Sequence, residues 1–315
     1  MRSAAAAATA LLFPRRAVAT FPAVGSEIVQ KYRDDGYAIV RNVVGGQLLE
    51  EMKLHVDWIM AKYPQFPPEH LHHPILRGDP FWMRLCCDER LVDIATTFVG
   101  PHVALFASHY FCKMPRTGKR VLWHQDGSYW PLEPMKVISL WLAVDESTVG
   151  NGCLRVVRGS HKEVLKKLEP NGEEDNVLGS MTHVEVKEDD VVNIELNPGD
   201  VEIHDPCIVH GSEANTSDRR RCGLTIRYIA SDTKVMDSDH PVYMIRGEES
   251  AGVNRYRSWP RYIAGYHMAF EGCTTWNERR KIVENDESYF DNLTPEKLES
   301  DVVSGVWKII EGLRS

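Results

Sequence analysis

The sequence is short of several features that would fix its class on their own. No run approaches the 18 uninterrupted apolar residues of a membrane-crossing helix, so no membrane-spanning segment is expected. The seven cysteines (86, 87, 112, 153, 207, 222 and 273) include no CxxC pair, which excludes a zinc knuckle and a thioredoxin-like motif. Their odd number fits reduced thiols in a non-oxidising compartment better than a disulfide framework. Positive charge is in deficit, with 37 Lys and Arg against 45 Asp and Glu. A net charge of -8 argues against a surface built for nucleic acid or an anionic membrane, while leaving room for a local basic pocket. Tandem repeats are absent.

No acidic residue precedes Glu27. An alanine-rich stretch with Arg2, Arg15 and Arg16 and no acids resembles an organellar transit peptide, and its apolar run also suits a secretory signal. Residues 1–24 are therefore set apart as a leader or disordered segment. Residues 25–315 form one domain. The expected location is the cytoplasm, or the mitochondrial matrix if the leader is a transit peptide.

What is present is a change of period along the chain. Helical stripes are expected near 26–36, 46–61 and 85–98, with a short strand at 37–40. The Pro- and His-rich segment 66–80, with His70, His72 and His73, reads as an irregular exposed or gating loop. Beyond Pro101 the pattern becomes strand-like: 103–112, 119–126, 136–144, 153–157, 191–196, 200–204 and 223–229, separated by Gly, Pro and Asp turns. Residues 161–179 read as a solvated excursion. Many short strands behind helices point to a compact antiparallel barrel or sandwich. A last helix is expected from Pro295 to Leu313, with Thr294 as its N-cap. It can pack on the barrel, mediate a dimer or close over a site.

The chemistry concentrates in His124-Gln125-Asp126-Gly127 and, far downstream, His210-Gly211-Ser212. Two imidazoles and one carboxylate can occupy one face of a mononuclear non-haem Fe(II) ion and leave the opposite positions open. In an extended strand, residues 124 and 126 share a side. Eleven residues beyond His210 stands Arg221, a cation able to meet a carboxylate two-pronged. Arg227, on the same strand, is its competitor or a second positive group.

The segments HQDGSYWPLEP, SLWLAVDEST and NGCLRVVRGSHK, followed by His210 and Arg221 in order, closely resemble the phytanoyl-CoA dioxygenase-like (PhyH) family of Fe(II)- and 2-oxoglutarate-dependent oxygenases. The resemblance covers roughly residues 26 to 230. It implies a mainly β fold: a double-stranded β-helix (jelly-roll, cupin-like) core, about 101–230, with flanking N- and C-terminal helices. It implies Fe(2+) held by His124, Asp126 and His210, and 2-oxoglutarate and O2 as cosubstrates. Arg221 would pair with the distal carboxylate of 2-oxoglutarate, with Trp141 beside it and Ser212 hydrogen-bonded to it. The implied reaction is oxidative decarboxylation of 2-oxoglutarate to succinate and CO2, coupled to hydroxylation of an unactivated C–H bond.

The expected substrate is a small polar metabolite, with a quaternary ammonium or aminophosphonate compound as the specific reading. Tyr110, Tyr129 and Trp130 would hold an ammonium group by cation–π contact. Asn215 would contact substrate or cap a turn, and Arg227 or Arg155 would receive an acidic end. The alternatives are a hydroxylase of an acyl-CoA or secondary metabolite, and a degenerate, non-catalytic binding protein. A monomer or homodimer is expected.

Overall fold

The computed structural model of the chain describes residues 24–170, 176–182, 184, 186–284, 286 and 294–314. Residues 1–23, which carry nearly all of the expected leader, lie outside the described residues. The helix α1 (Ser26–Asp35) stops where Gly36 takes φ 84°, and β1 (Tyr37–Val40) follows. In α2 (Gln47–Lys62) the buried residues Leu48, Met52, His55, Val56 and Ile59 make one stripe at helical spacing.

The segment 66–80 differs from the expected open loop. It holds a single 3-10 turn (Pro68–His70), the short strand β2 (Leu71–His72) and the helix α3 (His73–Arg77). His70 and His72 are buried. Prolines at 67, 68 and 74 hide any period from the sequence, yet Pro74 stands in the first turn of α3, where its missing N–H costs nothing. The single helix expected over 85–98 is two: α4 (Pro80–Cys86) and α5 (Glu89–Val99). Asp79 caps α4 and Asp88, between the two, caps α5, each accepting from a backbone N–H, at 2.8 Å from Trp82 and 3.2 Å from Arg90.

The strands that follow are β3 (Val103–Lys113), β4 (Val121–Gln125), β5 (Leu132–Glu133), β6 (Val137–Ala143), β7 (Leu154–Val157) and β8 (Leu168–Pro170). After these come β9 (Ser180–Thr182), β10 (Val191–Ile194), β11 (Val201–His204), β12 (Val209–Ser212), β13 (Arg221–Ala230), β14 (Lys234–Val235) and β15 (Tyr243–Arg246). The larger sheet runs β1-β11-β6-β13-β3-β15, with β2 paired to β3, and the smaller runs β10-β7-β12-β4. These antiparallel sheets face each other as the two halves of a double-stranded β-helix.

Strand alternation sorts the larger sheet into two faces. Cys112, Ile138, Leu140, Leu142, Val201, Ile203, Leu224, Ile226 and Tyr228 join the core beneath the helices. Burying each such large side chain contributes about 1.5–3 kcal/mol before entropy is counted. Trp141, Ala143, Leu154, Val156, Ile194 and Ile208 close one end of the space between the sheets. The helix α6 (Cys273–Arg279) and the long α7 (Pro295–Arg314) complete the cover. α7 packs on α3 and buries Leu298, Val302, Val306 and Ile310, each four residues apart, as expected of a tail that packs. Among the described residues no helix is long and apolar enough to cross a membrane.

The cysteines require a correction. Cys112 and Cys222, 110 residues apart, are directly opposite in the β3–β13 register and form a disulfide with Cα atoms 4.1 Å apart. Register, which no count of cysteines discloses, brings them together. The other five are free.

Candidate metal centre and cavity

His124 and His210 stand on neighbouring antiparallel strands, directly opposite each other in the β4–β12 register, with ring centroids 4.1 Å apart. Asp126 does not lie on the strand with His124, as expected, but opens a 3-10 turn (Asp126–Tyr129) just beyond it. Gln125 makes the change of direction by pinning two loops. Its amide donates to the Cys207 carbonyl at 2.7 Å and accepts from the Lys166 N–H at 2.9 Å. Gly127 then donates to the Pro206 carbonyl at 2.8 Å. The three side chains converge, with one potential ligand atom from each lying within 4.8 Å of the others, and all three are buried.

The donor set fits a metal ion. His124 Nδ1 lies 2.9 Å from the Leu122 carbonyl, and His210 Nδ1 lies 3.1 Å from that of Ile208. A carbonyl only accepts, so each Nδ1 carries the proton and each Nε2 keeps its lone pair. Those Nε2 atoms lie 3.6 and 3.8 Å from Asp126 Oδ1. Burial alone would raise the Asp126 pKa, but the Arg227 guanidinium and contacts from His124 and His204 hold it well below the carboxylate range. Burial, assisted by the neighbouring His124, pushes His210 well below the usual imidazole value. The site thus turns two imidazole Nε2 atoms and one carboxylate oxygen toward a common point, the donor set that metal binding requires.

Arg227 is committed to this end. Its Nη2 and Nε donate to Asp126 Oδ2 at 3.1 and 3.3 Å, and its Nη1 donates to Thr225 Oγ1 and to His109 Nδ1, both at 3.0 Å. Trp130 covers its guanidinium at 5.1 Å. Arg221, six residues earlier on β13, is 2% exposed, and no carboxylate among the described residues pairs with it. Its Nε and Nη2 donate to the Gly152 carbonyl at 3.0 and 2.6 Å, and Trp141 lies beneath it at 5.3 Å. Burial draws its pKa down to about 10. Gly223 makes room for that indole, since a Cβ there would stand 2.1 Å from the ring.

Lys113, which the sequence reading passed over, is a second fully buried cation, donating from Nζ to Ser212 Oγ at 2.7 Å and to the Glu213 carbonyl. Burial and the nearby Arg221 push its pKa well down. Its place was legible in strand parity: His109, Phe111 and Lys113 alternate on the inward face of β3.

A cavity of about 430 Å³ joins the triad to Arg221 and Arg227; Lys113 stands behind its lining residue Ser212. Asp126, Arg221, Arg227, Trp141, Ser212, Tyr129 and Trp130 line it, as do both triad histidines. Tyr129 also donates its hydroxyl to the Ser180 carbonyl at 3.0 Å. Tyr110 does not line it. Its parity is that of Cys112, so it faces the helices, where its hydroxyl meets His55 Nδ1 at 2.9 Å and its ring packs on Trp82. Asn215 is likewise outside, its amide donating to the carbonyls of Lys113 and Arg219 and its oxygen accepting from Ser217. Arg155 pairs at the surface with Glu188 and Glu213.

Four histidines form one wall: His72 and His73, which the sequence placed in a loop, with His109 of β3 and His240. Burial lowers the pKa of each, that of His72 to about 3. Val177 and Leu178, in the segment read as solvated, also line the cavity, and Ile309 and Leu313 of α7 roof it.

Comparison with known proteins agrees with this geometry. The phytanoyl-CoA dioxygenase (PhyH) family model matches residues 32–223. A phytanoyl-CoA dioxygenase domain-containing protein 1 homolog of Dictyostelium discoideum is 32% identical over 173 residues, 52% of this chain and 60% of that protein. The chain thus spans less than two thirds of that relative's length. Among solved structures, the non-heme monooxygenase ThoJ in its apo form aligns with a TM-score of 0.66 at 17% identity, covering 89% of this chain and 99% of that one. EctD from S. alaskensis with bound Fe aligns with a TM-score of 0.57 at 18% identity, covering 73% and 89%. These likenesses show a shared double-stranded β-helix fold. With two histidines and one carboxylate converging inside that fold, and the family model spanning the residues that carry them, the chain belongs to the phytanoyl-CoA dioxygenase (PhyH) family of dioxygenase-type oxidoreductases.

Proposed function

We propose that the protein is an Fe(II)- and 2-oxoglutarate-dependent hydroxylase of a small polar metabolite. The observation that carries this reading is Arg221, a buried cation that lines the same cavity as the facial triad and that no described carboxylate pairs with directly. A desolvated guanidinium without a paired counter-ion is costly, and a bound dicarboxylate would supply the missing charge. Arg221 is free for that task because Arg227 is held by Asp126. Ser212, already accepting from Lys113, joins the same subsite.

His124, Asp126 and His210 would hold the iron, whose chemistry with O2 and 2-oxoglutarate converts R–H to R–OH with release of succinate and CO2. The chain's own residues bind, orient and exclude water. Arg221 would fix the distal carboxylate, with Lys113 behind it holding Ser212, while Trp141 packs against the guanidinium and shapes the subsite. Ile309 and Leu313 cover the cavity with apolar surface.

The wall opposite supports a small polar substrate. Neutral imidazoles at 72, 73, 109 and 240 offer hydrogen bonds without fixed charge. The aromatic faces of Phe106 and Tyr129 and the carboxylate of Asp237 suit an ammonium group, so a quaternary ammonium or aminophosphonate compound remains the specific proposal. An acyl-CoA would need basic groups for its phosphates, yet among the described lining residues the cationic ones are the two buried arginines.

The test is oxygen consumption by iron-loaded protein with 2-oxoglutarate and a panel of such metabolites. One succinate per O2, with a metabolite gaining one oxygen atom, is the expected result. Oxygen uptake without succinate would overturn the assignment.

A further inference from the structure

One pair of buried ionisable residues beside the triad has no task in the reaction described so far. On β11, Val201 and Ile203 point into the core beneath the helices, so Glu202 and His204 point between the sheets. Glu202 is 0% and His204 2% exposed. His204 Nδ1 lies 2.8 Å from Glu202 Oε2, and its Nε2 lies 3.6 Å from Asp126 Oδ2. Its ring stands 4.9 Å from that of His210. The Nε2 atom is buried and has no hydrogen bond, as is the second oxygen of Glu202. A carboxylate and an imidazole sealed in a barrel are expensive to bury, and core packing alone is better served by apolar residues.

The two oxygens of Asp126 have different surroundings. Oδ1 faces the Nε2 atoms of His124 and His210 at 3.6 and 3.8 Å. Oδ2 faces Arg227 Nη2 at 3.1 Å and His204 Nε2 at 3.6 Å. One oxygen is turned toward the ligand nitrogens and the other is drawn away from them.

We propose that His204, oriented by Glu202, is a positioning residue that works with Arg227 to hold Asp126 Oδ2 aside. Only Oδ1 is then presented with the two imidazoles. A carboxylate left free to turn would present both oxygens and occupy a position that the cosubstrates need. Arg227 donates to Oδ2 from β13 and His204 Nε2 stands 3.6 Å from it on β11, two strands away in the same sheet, so the two side chains flank that oxygen. Glu202 fixes the imidazole, as outer-shell carboxylates commonly do. The inference rests on the metal-site reading above.

The test is anaerobic titration with Co(II), read by visible absorption, in wild type, His204→Phe, His204→Gln and Glu202→Gln, with His124→Ala as the control for the site itself. His204→Phe is expected to bind Co(II) about 10-fold to 100-fold more weakly, with a spectrum shifted toward higher coordination. His204→Gln, whose amide can place an N–H facing Oδ2, should recover most of the wild-type spectrum, and Glu202→Gln should fall between. Wild-type affinity and spectrum in His204→Phe would overturn the proposal. So would loss of Co(II) in both His204 variants as complete as in His124→Ala, which would make His204 a ligand. Retention of Co(II) by His124→Ala would instead sink the metal site, whatever the His204 variants do.

Discussion

The two faces of β13 make an instructive contrast, because all ten of its residues are buried. One face carries Cys222, Leu224, Ile226, Tyr228 and Ala230 into the core beneath the helices. The other carries Arg221, Thr225 and Arg227 into the cavity. Burial does not distinguish the two faces, but chemistry does. On the helix face the aliphatic side chains are satisfied by packing, Cys222 by its disulfide and the Tyr228 hydroxyl by donating to the Cys86 carbonyl. On the cavity face guanidinium groups lie out of water, where each needs a partner. Arg227 has its partner in Asp126, and Arg221 has backbone carbonyls only. A buried cation lacking a counter-ion marks the place of a ligand.

Substitutions on either face should break different properties. The largest effect belongs to the cavity: His124→Ala is expected to reduce succinate formation to background while the thermal unfolding midpoint moves little. Turnover near wild type would defeat the assignment of that histidine. Ile226→Ala, on the helix face, should lower stability by about 2–5 kcal/mol and leave the rate per folded molecule unchanged. Urea unfolding paired with active-site titration separates these two quantities. Arg221→Ala should weaken 2-oxoglutarate binding by about 1.5–3 kcal/mol, the range for a hydrogen bond to a charged group, with little change in iron affinity. An unchanged 2-oxoglutarate dissociation constant would move the anchor role to Lys113.

The smallest effect is one of pH. His72 has its pKa lowered by burial to about 3, against about 6.5 in an unfolded chain. Between those values the unfolded state binds the additional proton, so stability falls as pH drops below about 6.5. His72→Asn should flatten the decline in melting temperature between pH 6.5 and 5. An equal slope in the variant would show that other groups govern acid lability.

The same contrast explains what was legible in the sequence. The strands of the larger sheet were readable from their apolar runs, because that period is local, whereas the candidate triad and Arg221 came from the resemblance of their motifs to a known family. Parity would have separated Lys113 from Tyr110, had β3 been read two residues at a time. The histidine wall was not legible: prolines 67, 68 and 74 erase periodicity, and only pairing of Leu71–His72 with Tyr110 and His109 on β3 carries that wall inward. Register also hid the Cys112–Cys222 bond and the approach of His204 to Asp126, since each joins residues far apart in the chain. Asp126 itself left its strand because Gln125 is held by two loops, a tertiary cause that no local pattern records.

The most direct measurement is anaerobic addition of 2-oxoglutarate to purified protein reconstituted with ferrous ion, followed by visible absorption. A metal-to-ligand charge-transfer band is predicted in the wild type, saturating at one iron per chain. It should be absent in Asp126→Ala and require more 2-oxoglutarate in Arg221→Ala. A wild-type protein that takes up no ferrous ion and shows no band would contradict the account.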